Sequence, residues 1–158
     1  MWKKIKPYVI SVLIALGTGG LAALLTRNNM DVYAELVRPA LSPPGILFPI
    51  VWTILYTLMG ISSARVYIKG KEEGGAWENA LWIYAIQLAV NFLWTIIFFN
   101  LQAYLLAFIW ILILWVLIII MIRKFYKIDP LAAWLQVPYL LWVTFATYLT
   151  FMIYILNR

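Results

Sequence analysis

Gln87, Asn91 and Trp94 recur at i, i+4 and i+7, a spacing that puts all three on one face of a helix. They lie inside the run Ala80–Leu101, which contains no charged residue. Amides in hydrocarbon are costly unless paired, so this face is expected to point into a bundle. Two roles fit it. The amides could hydrogen-bond a ligand in a pocket, or they could bond across helices and hold the bundle together. Spacing alone favours the second. Trp52 and Tyr56 lie one turn apart in an earlier run, and Trp142 and Ala146 one turn apart in a later one. A deep indole offers a flat apolar face and an N–H that needs a partner. Trp52, Trp94 and Trp142 each sit well inside their runs, so together they could wall one aromatic pocket. Any one of them alone serves equally well as bulky filler.

The residues that are missing narrow the chemistry further. The chain has no Cys and no His, which removes thiolate catalysis, Fe–S clusters and the commonest metal ligand and general base. Its six carboxylates, Asp31, Glu35, Glu72, Glu73, Glu78 and Asp129, are all expected in loops between the apolar runs. A proton- or sodium-coupled pump normally carries an ionisable group inside the membrane, and no internal repeat suggests an inverted-repeat transporter. Hydrolase and nucleotide motifs are absent. No cofactor or metal is required by this residue set; what remains is an apolar pocket for flat, greasy ligands.

The elements that must position these residues follow from hydropathy. Of 158 residues, 66% are hydrophobic and 11% charged, far too few charges for the surface of a soluble domain. Five apolar runs, 8–26, 46–64, 80–101, 103–122 and 131–156, use most of the chain. Each is close to the roughly 20 residues that cross a hydrocarbon core. The expectation is an all-α integral membrane protein, a bundle of five transmembrane helices in one domain spanning 1–158. Lys3, Lys4, Lys6, Arg65, Lys69, Lys71, Arg123, Lys124 and Lys127 fall on one side, against Arg27, Arg38 and Arg158 on the other. That asymmetry predicts a cytoplasmic N-terminus and an outer C-terminus. The basic excess is therefore a topology signal, and no nucleic-acid partner is expected; the lipid bilayer is. The first apolar run is longer than the core of a secretory leader, and Leu21-Ala22-Ala23 makes a poor cleavage site, so a retained first helix is expected.

Local signals add detail. Ala15, Gly19 and Ala23 form a small-residue stripe suited to close packing within the bundle, and Ala85 and Ala89 a weaker one. The loop 27–45 holds a short helix over Asp31–Leu36 with Asp31 as N-cap, then Pro39, Pro43 and Pro44, which stiffen it. Such a loop acts either as a lid or as a rigid connector. Residues 69–79, with Gly70, Gly74 and Gly75, read as a mobile polar loop. Asn100 and Gln102 allow only a tight hairpin between the third and fourth spans. The fourth span, almost uniformly aliphatic, is expected to face lipid and neighbours. Pro138 should kink the fifth span and free the Trp134 carbonyl. Trp77, Trp82 and Trp134 read as interfacial anchors.

Ser42-Pro43-Pro44-Gly45, followed by Phe48, Val51-Trp52, Leu55-Tyr56 and Gly60, resembles the TspO/translocator-protein family, also called tryptophan-rich sensory proteins or peripheral benzodiazepine receptors. Gln87, Asn91, Trp94 and Phe98-Phe99 look like its third helix, and Pro138, Trp142 and Phe145-Ala146-Thr147-Tyr148-Leu149 like its fifth. The match runs in order along nearly the whole chain. The resemblance implies a five-helix bundle, often a homodimer, with a pocket beneath the first loop that takes porphyrins such as protoporphyrin IX and haem, sterols and isoquinoline or benzodiazepine drugs. Carried over by position, that pocket would include Tyr33, Pro43, Pro44, Trp52, Gln87, Asn91, Trp94, Trp142, Phe145 and Ala146. A bacterial member would sit in the cytoplasmic membrane.

This chain departs from the family pattern at Val32 and Leu41, where tryptophans are common, and has Arg38-Pro39 for the usual Lys-Pro. The family's sterol-motif tyrosine position is Phe151 here, so cholesterol is not the expected ligand. Porphyrin propionates would have to point towards Arg27 and Arg38, because no cation lies deep in the runs. The leading expectation is a membrane receptor or carrier for porphyrins, linked to tetrapyrrole regulation or stress responses. The alternatives are light- and oxygen-dependent porphyrin degradation, and a membrane scaffold or regulatory protein that works through its surface.

Overall fold

The computed structural model describes residues 2–29 and 31–158; among these every regular element is helical. The helices are α1 (Trp2–Thr26), α2 (Val32–Glu35), α3 (Leu47–Glu73), α4 (Trp77–Thr95), α5 (Tyr104–Ile128), α6 (Pro130–Leu135) and α7 (Val137–Asn157). A 3₁₀ turn, Arg27–Asn29, follows α1, and a π turn, Ile96–Asn100, prolongs α4. Five rods of this set are long and apolar enough to cross a membrane: α1, α3, α4 with its π turn, α5, and α6–α7 together. At 1.5 Å per residue, the 25 residues of α5 reach roughly 37 Å, more than the hydrocarbon core requires.

At the lysine-rich end of the bundle the helices outrun the apolar segments. α3 continues past Ala64 to Glu73, so the expected mobile loop 69–79 is a correction: only Gly74–Ala76 connects α3 to α4. Arg, Lys and Glu are good helix formers, and their charges reach the headgroup level without breaking the backbone pattern. Hydropathy marks where lipid ends, not where the helix ends. Gly74 and Gly75 turn the chain at φ +77° and +89°, which suits glycine.

α1 packs chiefly on α3. A Cβ on Gly60 would come within 2.5 Å of the Val12 Cα, and one on Gly19 would collide with the Tyr56 ring. Ala15 is fully buried. The small-residue stripe of α1 therefore serves packing inside the bundle. On α5, Ala107, Ile111, Leu114, Ile118, Met121 and Phe125 form one buried stripe at helical spacing. The Trp110 indole donates to the Val90 carbonyl and the Trp115 indole to the Thr144 hydroxyl, each at 2.8 Å.

The last span breaks two residues before Pro138. Gln136 separates α6 from α7, and its N–H turns to the Ala133 carbonyl instead of reaching back four residues. The carbonyl left over is that of Ala132, and the Ser62 hydroxyl of α3 donates to it at 2.6 Å. The break thus frees a carbonyl besides that of Trp134, which Pro138 cannot meet, and a neighbouring helix satisfies it. Asp31 flanks α2 as expected, but its side chain makes no capping bond. Asp129 is between helices, as the sequence suggests, yet it is only 4% exposed and pairs with Arg65 at 2.6 Å.

Candidate functional site: an aromatic cavity beneath a tethered lid

At the end of the bundle away from Arg65 and Asp129, four of the long rods and the lid enclose a mostly apolar cavity. Phe48, Trp52 and Tyr56 enter it from α3 at i, i+4 and i+8. Trp94 and Thr95 come from α4, and Phe98 and Phe99 from the π turn. Trp142, Ala146, Leu149 and Thr150 come from α7, and Ala23 closes the α1 side. α5 contributes nothing to this lining.

The π turn continues directly from α4 and carries two of the four wall residues within 94–99. Leu101 N–H bonds to the Ile96 carbonyl at 3.1 Å, five residues back. The widened turn shifts the helical register, and such bulges recur at functional sites. Phe98 packs on Trp94 with ring centroids 5.2 Å apart and edge-on to Phe99 at 4.9 Å.

Tyr33 is the roof. It is 3% exposed, its hydroxyl donates to the Pro43 carbonyl at 2.8 Å, and its ring meets Phe48 edge-on at 4.9 Å. Phe48 in turn contacts Trp142 at 5.8 Å. The lid is tied to α7 at three points. Asn157 accepts from the Val37 N–H at 3.0 Å and donates to the Val37 carbonyl at 2.7 Å, and the Tyr148 hydroxyl donates to the Ala40 carbonyl at 3.1 Å. Asn29 donates to Asn100 at 2.8 Å, joining the lid's start to the α4–α5 corner. Leu41 at the tip is 83% exposed and has φ +73°, a strained conformation for a residue with a branched side chain.

Of the residues singled out in the sequence, Tyr33, Trp52, Trp94, Trp142 and Ala146 line the cavity together. Pro43 is buried and holds the Tyr33 hydroxyl, whereas Pro44 is exposed on the outer side of the lid. Phe145 stacks behind Trp142, at 5.6 Å. Gln87 and Asn91 are 0% and 1% exposed and lie one layer below the wall. Asn91 donates to the Tyr56 hydroxyl at 3.2 Å, and Gln87 accepts from the Tyr139 hydroxyl at 2.6 Å. Both phenols pack against Trp52, at 5.5 and 6.2 Å. The amides thus bond across helices and fix the rings that hold an indole.

Neither cation assigned to the mouth lines the cavity. Arg38 is exposed in a cleft outside the lid, its guanidinium 4.8 Å from the Tyr33 ring centroid, and Arg27 is exposed at the end of α1. Tyr56, Phe48, Phe98 and Leu149 were absent from the sequence-derived set, although their helical spacing from Trp52, Trp94 and Trp142 was a usable signal.

The polar character of the wall is sparse and specific. The indole N–H groups of Trp94 and Trp142 have no hydrogen-bond partner among the described residues, and neither does the Asn91 carbonyl oxygen. Buried donors of this kind are costly unless something accepts from them. An apolar enclosure with a few unspent donors is the usual build of a small-molecule site.

Comparison with known proteins agrees with the sequence motifs. The TspO/MBR family model matches residues 9–156. The chain is 35% identical to the tryptophan-rich protein TspO of Chlorobaculum tepidum over 99% of each chain. It is 39% identical to protein CrtK of Rhodobacter capsulatus, over 79% of this chain and 78% of that one. With the human translocator protein it shares 36% identity, over 77% of this chain and 72% of the relative.

Proposed function

The chain belongs to the TspO/MBR family, and on that premise we propose that it is a membrane receptor or carrier that encloses a porphyrin, protoporphyrin IX or haem, beneath the Tyr33 lid. The observation that carries this reading is the cavity wall: Trp52, Trp94, Trp142 and Phe48 offer broad flat faces from three helices, and two indole N–H groups there are unspent. Burying a macrocycle against such rings gains about 25 cal/mol per Å² of apolar surface. The charged propionates have no deep cation to meet, so they leave through the mouth towards Arg38. The rings of Tyr33, Phe48 and Trp142 must part to admit the ligand, since they touch one another when the lid is down. A bacterial cytoplasmic membrane, with the N-terminus inside and the lid outside, fits the distribution of basic residues. A homodimer fits the small-residue groove between α1 and α4, where Thr18, Ala85 and Ala89 lie.

The same indoles favour a second reading, light- and oxygen-dependent porphyrin degradation. Three oxidisable rings would lie against the photosensitiser, and the reaction asks for no His, Cys or carboxylate.

Quenching of intrinsic tryptophan fluorescence by protoporphyrin IX tests both. Saturable quenching is expected, weakened about tenfold in Trp142→Ala, the loss of one buried stacking face, and unchanged in Trp115→Ala. Absence of saturable quenching by the folded chain would remove the porphyrin reading and leave a surface-mediated role. Under illumination, a new absorbing product lost in Trp52→Phe and Trp142→Phe but kept in Trp115→Phe supports degradation. Equal photobleaching in every variant reduces it to the chemistry of free porphyrin.

A further inference from the structure

At the opposite end of the bundle a second cleft opens between the C-terminal ends of α3 and α5 and the N-terminal end of α4. Lys69 reaches it from α3 and Lys124 and Lys127 from α5, while Gly74–Ala76 forms its floor. Glu73 is the one carboxylate in the lining. The only salt bridge among the described residues is Arg65–Asp129, so none of the three ammonium groups is neutralised by an ion pair. Lys69 and Lys124 are half-buried rather than splayed into solvent. Ala76 precedes α4 without any side-chain cap, and Glu78 in the first turn offsets the positive end of that helix, so the positive potential of the cleft comes from the lysines.

The depth of this cleft is fixed by its aromatic neighbours. Trp2 on α1 and Trp134 on α6 are 61% and 64% exposed at the same end of the bundle, and Tyr126 on α5 is 56% exposed. Exposed indoles and phenols at span ends mark the headgroup level. Lys71, just beside the cleft, is already engaged, its ammonium 5.8 Å from the ring centroids of both Tyr67 and Trp77. The three lining lysines are therefore held at phosphate depth by helices that lipid surrounds.

Complementing the helix C-termini explains one lysine at the end of each helix. It does not explain why lysines from two helices converge on one concave, half-buried space. From this geometry we infer a binding site for the phosphate headgroup of an anionic glycerophospholipid. The phosphate sits among Lys69, Lys124 and Lys127, Glu73 accepts a headgroup hydroxyl, and the acyl chains lie along the exposed apolar flank of α5.

Native mass spectrometry of the full chain in detergent, titrated with phosphatidylglycerol and with phosphatidylcholine, tests the site. Discrete phosphatidylglycerol adducts in preference to phosphatidylcholine are expected. Each of Lys69→Gln, Lys124→Gln and Lys127→Gln should weaken them about fivefold, the contribution of one basic group at an anionic surface. The control is the triple variant Lys3→Gln/Lys4→Gln/Lys6→Gln, which removes three exposed charges at the same membrane side and should leave the adducts intact. Far-ultraviolet circular dichroism verifies that each variant keeps its helix content. Equal loss in the control, or no preference between the two lipids, would overturn the inference. Displacement of the lipid by inorganic phosphate at matched concentration would reassign the cleft to a soluble anion and overturn it as well.

Discussion

Asn91 and Gln87 show how a polar residue in a membrane bundle can matter without lining a cavity. Each amide spends one polar atom on a phenol from another helix, and those phenols brace Trp52. Their spacing, i and i+4 with Trp94 at i+7, told which face they occupy, and nothing in it told that Tyr56 and Tyr139 would be their partners. Tyr56 itself stood one turn from Trp52 and was legible as a wall residue by the same rule. Arg38 is the residue whose role changes most, because its guanidinium covers the outer face of the lid tyrosine. Arg38→Ala should cost every ligand the about 0.5–1 kcal/mol of that stacking. A dicarboxylic porphyrin should lose about tenfold in total and a neutral isoquinoline only about two- to fivefold. Parallel titrations of the two ligands check this; equal losses would mean that the propionates do not face Arg38.

Three elements shape the cavity, and they differ in how visible they were. The lid was visible as a proline-rich loop, but whether it was a lid or a connector depended on contacts with α7. The π turn after α4 was not visible, since Ile96–Asn100 has no residue that forbids a regular helix. The break at Gln136 was half visible: Pro138 announces it, while its position and the Ser62 bond to the Ala132 carbonyl depend on α3 lying alongside. The lid's tether suggests a direct test. Asn157→Ala removes both bonds to Val37, about 1–2 kcal/mol of restraint. Hydrogen exchange in residues 31–45 should speed up about tenfold while the rods stay protected. Unchanged exchange in the lid would show that Tyr33 and Tyr148 hold it alone.

For the whole molecule, the two ends of the bundle differ in kind. One end holds the lid and the aromatic cavity with few charges; the other gathers nine of the twelve basic residues and the pair of the half-buried Arg65 with the buried Asp129. Because the chain has no cysteine, single-cysteine variants report orientation without background. In intact cells, Leu41→Cys should react with a membrane-impermeant maleimide, and Glu72→Cys should react only after permeabilisation. The reverse pattern would invert the topology and put the cavity mouth in the cytoplasm.

The sequence by itself determined the membrane class, the five spans, the side on which the charges fall and the helical faces that carry amides and indoles. These depend on composition and on periodicity within one segment, and lipid enforces both. Tertiary structure alone decided which polar atoms are spent between helices and which face the cavity, how far α3 runs, and that Asp129 is buried. Those outcomes rest on contacts between residues as far apart in the chain as Gln87 and Tyr139, 52 positions, or Val37 and Asn157, 120 positions. No local pattern encodes such distances; they follow only when the rods pack and each buried donor finds, or fails to find, an acceptor.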